Sequence, residues 1–318
     1  MKSVIIGFGV IGRVHAEVLK NQGAEIAAVC DTDSSKLSGF GCRSYCDYID
    51  MIESEKPDVV HICTPHYLHA DMSVECLKRG INVLCEKPMC ISEDDVCRIS
   101  EAALHSSAQF GLVLQNRYNA ANLFVKKYTE KNPVIDGFGI VNWHRDRKYY
   151  ASASWRGKKS TAGGGVLINQ ALHTLDLMQW FIGMPSEVTA NTCNFMLKDI
   201  IEVEDSAMAV FSGDRKFSFF ATNTGSTDFP VEITLKTDKD YIKILPDSVM
   251  LNGELIDFKK DNRILGKRCY GTGHEDLIAD FYDCIKCGRK FPIDAGEGGK
   301  VMKLIFGIYK SKGEIVKL

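Results

Sequence analysis

Ser3-Val4-Ile5-Ile6-Gly7-Phe8-Gly9-Val10-Ile11-Gly12 decides how the chain is read. A short apolar run breaks at three glycines spaced Gly-x-Gly-x-x-Gly, and a helical pattern follows over 10–22. Gly7 permits a tight turn, Gly9 lets backbone approach a pyrophosphate, and Gly12 lets the helix pack closely on the strand. The helix N-terminus then offers free N–H groups and the positive end of its dipole to phosphates. Gly7, Phe8, Gly9, Val10, Ile11 and Gly12 are therefore the expected cofactor-binding turn. Asp31 follows 19 residues after Gly12, at the end of the second apolar run. A carboxylate there accepts hydrogen bonds from both adenosine ribose hydroxyls and repels a 2′-phosphate, so the pattern favours NAD over NADP. Arg13 keeps NADP as an alternative, because an arginine nearby could pair with that phosphate; otherwise it is a solvated helix residue.

Outward from this turn, short apolar runs at 3–6, 25–30, 58–63, 82–85 and 110–114 alternate with helical patterns at 10–22, 67–79 and 92–107. Strand–helix–strand alternation with short connections predicts a doubly wound parallel sheet. The remainder differs. Strand-like runs at 138–144, 187–196, 206–212, 216–222, 231–236, 241–245 and 249–251 follow one another, separated by turn signals such as Asn252-Gly253. One long helix over 166–182 interrupts them. The expected fold class is α/β: a Rossmann domain at 1–118, then an α+β domain at 119–318 with an open, largely antiparallel sheet.

Composition excludes several function classes. With 39 Lys plus Arg against 41 Asp plus Glu, the net charge of −2 carries no footprint for nucleic acid. No apolar run approaches the roughly 20 residues that span a bilayer. The first residues lead straight into a strand without a signal-peptide pattern, so the expected compartment is the cytoplasm. The 12 cysteines scatter along the chain and read as free thiols. Cys284-Ile285-Lys286-Cys287 has redox or zinc spacing but no second pair nearby.

Two further segments sit where strands end. Cys63-Thr64-Pro65-His66-Tyr67-Leu68-His69 and Glu86-Lys87-Pro88 each follow an apolar run at its carboxyl end, the edge at which open α/β sheets bind ligands. His66 and His69 lack a partner of ligand spacing, so no metal is expected. Taken in order, these motifs resemble the Gfo/Idh/MocA family, named for glucose–fructose oxidoreductase, inositol dehydrogenase and a rhizopine-catabolism protein. The resemblance continues through Gln115-Asn116-Arg117-Tyr118, Trp155-Arg156-Gly157, the stretch from Gly163 to Asp176, and Gly271-Thr272-Gly273-His274-Glu275.

The resemblance implies NAD(P)-dependent oxidation or reduction of a carbon on a sugar, cyclitol or related polyol. It implies Lys87 as catalytic acid/base with His173 as its partner, and a homodimer or homotetramer built on the open sheet. The Lys87–Pro88 bond is a candidate for cis. Physical reasoning agrees about Lys87. Partial burial beside a cationic nicotinamide ring lowers a lysine pKa, and a neutral amine can take a hydroxyl proton as hydride leaves. Thr64, Pro65, His66, His69, Glu86 and Lys87 complete the expected cofactor set. Lys87, Arg117, Tyr150, Trp155, Arg156, Asn169 and His173 form the expected substrate set, with Tyr118, His144, Tyr149 and His274 as further candidates. A sugar pocket wants aromatic faces and polar groups that bind hydroxyls, and 144–156 supplies both.

Gly163, Gly164 and Gly165 precede the long helix and are expected to admit a ligand or backbone and leave its N-terminus open. Asn169, His173, Asp176 and Trp180 are expected on one helix face. Asp176 is assigned mainly to structure, with orienting His173 or a neighbour as the alternative. Many family members carry Asp where this chain has Asn169, and Asn cannot take a proton, which argues against a Lys–Asp–His relay. Two other readings stay open. One is a glycoside hydrolase or lyase that recycles its NAD. The other is a non-catalytic dinucleotide sensor, which Asn169 leaves open and the retained Lys87 and His173 oppose. The basic stretch 259–268 reads as a solvated loop, or more weakly as a site for a phosphorylated or nucleotide-linked sugar.

Overall fold

Ten elements build a first sheet and its cover: β1 (Lys2–Ile6), α1 (Val10–Asn21), β2 (Glu25–Cys30), β3 (Arg43–Tyr45), α2 (Tyr48–Glu55), β4 (Val59–Ile62), α3 (His69–Lys78), β5 (Asn82–Cys85), α4 (Glu93–His105) and β6 (Phe110–Leu112). The computed structural model describes residues 1–258 and 273–318. The strand order is β3-β2-β1-β4-β5-β6, every pair parallel. That is the order of a dinucleotide-binding sheet, with the chain reversing direction across the sheet between β1 and β4. Val4, Ile5, Val59, Val60, Val83 and Leu84 are fully buried, as strands covered on both faces require. Local signals stop and start the helices. Ser92 caps α4 by accepting the Asp95 N–H at 3.2 Å, ahead of three acids in its first turn.

A second set of elements follows: α5 (Ala120–Lys131), β7 (Val134–Asn142), α6 (Arg147–Ala151), α7 (Lys159–Ala162), α8 (Leu172–Ile182), β8 (Glu187–Cys193), β9 (Ser206–Ser212), β10 (Phe217–Thr222), β11 (Glu232–Thr237), β12 (Tyr241–Leu245), β13 (Ser248–Leu251) and β14 (Glu254–Asp257). After 273 come α9 (Gly273–Cys287), α10 (Ala295–Ser311) and β15 (Val316–Lys317). The second sheet runs β14-β13-β12-β11-β7-β10-β9-β8-β15 and is antiparallel except where β7 pairs β10. Gly137 and Gly139 leave room for Met178 and Ile182, so α8 lies close on β7. On the alternate strand positions Phe138, Met208 and Val210 are exposed, and this sheet face stays open.

The chain forms two compact units. The first holds Met1–Gln115 with 273–299, and the second holds 116–258 with Lys300–Leu318. The single cut near 118 expected from the sequence differs here, because 273–299 returns to the first unit. Phe281 and Phe291 fill the space over Gly111, and Leu112 N–H donates to Ile293 O at 2.9 Å. Burying such side chains contributes about 1.5–3 kcal/mol each, which outweighs proximity in sequence to the second unit.

The expected helix over 166–182 is also interrupted. Leu167–Ala171 forms a wide π turn before α8 begins. The π turn shifts Asn169 relative to His173, Asp176 and Trp180, which stay on one face of α8 at i, i+3 and i+7. Asp176 becomes buried, while Asn169 and His173 keep partial exposure. Such turns recur at functional sites.

Candidate functional site

In the first unit the glycine turn closes over the reversal between β1 and β4. Gly7 has φ +87°, and a Cβ on it would meet the carbonyl of Cys63. A Cβ on Gly12 would run into the carbonyl oxygen of Gly7, whereas one on Gly9 would meet nothing within 4 Å. Gly9 also begins α1 with no side-chain cap. The turn therefore keeps open space in front of uncapped helix N–H groups, which is what a pyrophosphate needs. Asp31 lies beside it. Its Oδ2 accepts the Phe8 N–H at 2.9 Å, and its Oδ1 accepts the Asp33 N–H at 2.9 Å. Lys36 Nζ pairs with the same carboxylate at 3.2 Å, and the Arg13 guanidinium lies over the Phe8 ring, 4.8 Å from its centroid. The donors and the space fit a dinucleotide.

Thr64, Pro65, His66 and His69 occupy the carboxyl end of β4 as expected. His69 does something the sequence does not reveal. Its Nδ1 meets Pro88 O at 2.6 Å and its Nε2 meets Thr64 O at 2.8 Å, so the ring clasps the turns after β4 and β5 together. Burial pushes its pKa down, and the two carbonyls oppose that shift. The Lys87–Pro88 bond is cis.

Glu86 anchors a buried chain of polar groups. Its Oε2 accepts the Lys87 N–H at 3.1 Å. Its Oε1 lies 3.1 Å from His15 Nε2 and 3.7 Å from His274 Nε2. His15 Nδ1 meets His61 Nδ1 at 2.8 Å. His61 Nε2 meets the Tyr282 hydroxyl at 2.8 Å, and that hydroxyl meets Ser3 Oγ at 2.6 Å. Burial opposes ionisation of Glu86, yet His15 and His274 outweigh it and hold the carboxyl well below the ordinary range. Burial also pushes His61 well below its ordinary pKa, with His15 adding to the effect.

A carboxylate only accepts, so His15 donates from Nε2 to Glu86. The Glu86 carboxylate orients His15 and holds the backbone N–H of Lys87. His15, Glu86 and His274 also present metal-binding donor types within 4.8 Å of one another. That trio is distinct from the pair His66 and His69.

In the second unit the glycine triplet admits backbone, one of the two approaches expected of it, but does not leave the helix N-terminus open. A Cβ on Gly165 would strike Glu204 O, and one on Gly164 would strike the Tyr309 hydroxyl. Buried Glu204 accepts the Gly165 N–H at 2.9 Å, the Leu167 N–H at 3.0 Å and the Tyr309 O–H at 2.9 Å. The helix N-terminus is capped by this carboxylate rather than left open. Burial raises the Glu204 pKa, opposed by those bonds.

Asn169 donates from Nδ2 to the Tyr149 hydroxyl at 3.1 Å, where Gln170 Nε2 (2.9 Å) and Arg156 (2.8 Å) also converge. The Arg156 guanidinium lies over both Tyr149 and Trp155, 4.6 Å from each centroid. Trp155, Arg156 and Asn169 thus belong to one neighbourhood, tied through Tyr149. His173 follows Asn169 at the start of α8. Tyr150 is buried, and its hydroxyl accepts from Asn223 Nδ2 at 3.1 Å. Arg117, expected at the substrate, is instead buried against Asp176, with bonds of 2.8 and 2.5 Å, and lies 5.2 Å from the Trp180 ring centroid. This employment matches the structural role expected for Asp176. Residues 259–272, with the basic stretch and Gly271-Thr272, lie outside the described residues.

Sequence reasoning missed His15, His61, Lys36 and Glu204. His15 and His61 carry a legible signal, since each is a polar residue inside an otherwise apolar buried segment. Glu204 has none, because its partners lie 37 to 105 residues away.

Comparison with known proteins locates the chain among relatives. Residues 1–112 match the family model described as "Oxidoreductase family, NAD-binding Rossmann fold", and residues 139–236 match the "GFO/IDH/MocA C-terminal domain". An inositol 2-dehydrogenase of Rubrobacter xylanophilus is 31% identical over 187 residues, covering 56% of this chain and 51% of that one. A levoglucosan dehydrogenase of Pseudarthrobacter phenanthrenivorans is 25% identical over 210 residues, covering 58% and 52%. The chain thus spans about half the length of the curated relatives it matches. The WlbA dehydrogenase of Bordetella pertussis, solved with NADH and UDP-GlcNAcA, superposes with a TM-score of 0.87 at 26% identity over 100% of this chain and 98% of that one. Among the described residues no helix is long and apolar enough to cross a membrane.

Proposed function

Because the chain belongs to the Gfo/Idh/MocA oxidoreductase family through matches to both of its domain models, we propose that it is an NAD-dependent dehydrogenase acting on a CH–OH carbon of a sugar, cyclitol or related polyol. The observation that carries this reading is the open space at Gly9 before the uncapped start of α1, with Asp31 beside it in the same unit as Lys87. The nicotinamide ring, when bound, supplies the hydride acceptor or donor. Lys87 Nζ takes the hydroxyl proton during oxidation and returns it during reduction. Glu86 positions Lys87 by accepting its backbone N–H. His173 supplies a hydrogen bond or a second titratable group to the substrate, and Trp155, Arg156 and Asn169 shape its pocket. Asn169 holds no proton to relay. Asp31 selects NAD, while Lys36 and Arg13 leave a route for NADP. The open sheet face around Phe138, Met208 and Val210 supports a homodimer or homotetramer, and a monomer by light scattering at micromolar concentration would overturn that.

The test is a panel of cyclitols, free sugars, uronates and sugar nucleotides with NAD⁺, following NADH absorbance, with Lys87→Ala alongside. The expected result is a substrate-dependent rise that falls roughly 10²–10⁴-fold in the variant while NADH binding persists. A rise indifferent to Lys87→Ala would sink the assignment. Product release without net NADH would mark recycled NAD, and NADH binding without turnover of any compound would mark a sensor.

A further inference from the structure

A recess of about 280 Å³ in the second unit is lined by Arg147, Tyr150, Ser154, Arg156, Lys158 and Ile200. Among the described residues three cations border it and no carboxylate does. Among the described residues none of the three takes part in an ion pair, whereas nearby Arg145 is paired with Asp228 at 2.8 Å. The neighbouring acids are also engaged: Asp146 accepts the Tyr149 N–H at 2.9 Å, and Glu202 accepts the Lys159 N–H at 3.1 Å.

Arg156 is the most constrained of the three. Its guanidinium lies over the Tyr149 and Trp155 rings and donates through one terminal nitrogen to the Tyr149 hydroxyl. Its Nε is buried without a hydrogen-bond partner among the described residues. Aromatic faces hold the plane of a guanidinium while its N–H edge stays directed in that plane, the geometry that grips carboxylate or phosphate. The backbone around it is held as well. Gly157 has φ +71° and accepts the Glu202 N–H at 2.8 Å, and Thr161 donates to Trp155 O at 2.8 Å. Below it Tyr150, Leu197, Ile201 and Val203 form a buried cluster. Like charges gathered on so firm a frame repel one another until an anion arrives.

We propose that this recess binds an anionic substituent of the substrate, a carboxylate or phosphate attached to the sugar. It is smaller than the roughly 300–1,000 Å³ of a complete ligand pocket, as suits a subsite for one group. Tyr149 joins it to the reacting region, since the same hydroxyl receives Arg156 and Asn169. The inference deepens the dehydrogenase reading and relies on it for the sugar, but the anion preference stands on the recess alone.

The experiment titrates the NADH-loaded protein with glucose, glucuronate, glucose 6-phosphate and UDP-glucose by calorimetry at low ionic strength. At least one anionic ligand is expected to bind tenfold or more tightly than glucose. The ligand that does so identifies the source as carboxylate, phosphomonoester or diphosphate. Arg147→Ala with Lys158→Ala is expected to cut that advantage about tenfold; both residues are exposed, and a thermal melt checks folding. Equal binding of all four, no measurable binding of any anion, or an advantage that survives the double substitution overturns the proposal. A separate NADH titration by nicotinamide fluorescence reads the cofactor half. Its failure would break the dehydrogenase reading while leaving the anion comparison, run then without NADH, still decisive.

Discussion

Two glycine-rich turns precede helices in this chain, and they are used in opposite ways. The turn from Gly7 to Gly12 spends two glycines on close backbone packing and leaves the third, Gly9, facing space. The turn of Gly163, Gly164 and Gly165 spends its room on the chain itself, because Glu204 and Tyr309 press against it. One helix starts uncapped, and the N–H groups beginning the other are taken by a buried carboxylate. A glycine cluster before a helix therefore signals close approach, but not whether the approaching group is a ligand or another part of the protein.

Substitutions can break or sharpen this contrast. The largest expected effect is Glu204→Ala. It strands two N–H groups and a tyrosine hydroxyl, at about 1–3 kcal/mol for each buried group left unsatisfied. A loss of about 3 kcal/mol in urea unfolding, with NADH affinity retained, is the expected outcome. Retained stability would show that the second turn is not closed by Glu204. Gly12→Ala comes next, since its Cβ meets the carbonyl of Gly7; overpacking there should cost about 1–3 kcal/mol.

The pH dependence of stability follows in size. Burial lowers the pKa of His61 strongly and that of His69 less. Below about pH 6.5 the unfolded chain binds protons that the folded one refuses, so stability is full above that pH and falls as pH drops. The slope is about 1.4 kcal/mol per pH unit for each proton excluded. His61→Gln should flatten the dependence between pH 6.5 and 5 in thermal melts, and an unchanged slope would contradict the buried neutral ring. The smallest stability effect belongs to Gly9→Ala, where a Cβ meets nothing. Folding should change by about 0.5 kcal/mol or less, as for a surface substitution, while NADH binding weakens about tenfold. Loss of both together would mean that Gly9 serves the fold and not a ligand.

Legibility in the sequence followed the range of each interaction. The parallel sheet, the glycine turn and Asp31 were readable because their determinants lie within one strand–turn–helix unit. The motif segments after β4 and β5 were readable as strand ends, although not the clasp that His69 makes between Thr64 and Pro88. Arg117 was read as a substrate group because an isolated arginine carries no mark of its partner; Asp176 lies 59 residues on. The return of α9 to the first sheet was equally hidden. An amphipathic pattern shows that a helix has a buried face, not which surface covers it.

The sequence by itself determined the doubly wound parallel character of the first domain, the largely antiparallel character of the second, the dinucleotide turn and the family to which the motifs belong, since these rest on local periodicity and on short spacings that backbone geometry dictates. The tertiary structure alone decided the rest: the buried chain from Ser3 through Tyr282, His61 and His15 to Glu86, the capping of the second glycine turn by Glu204, and the gathering of Arg147 and Lys158 beside Arg156. Each of these depends on whether a polar group finds a partner once water is excluded, and those partners come from distant segments that only packing brings within hydrogen-bond reach.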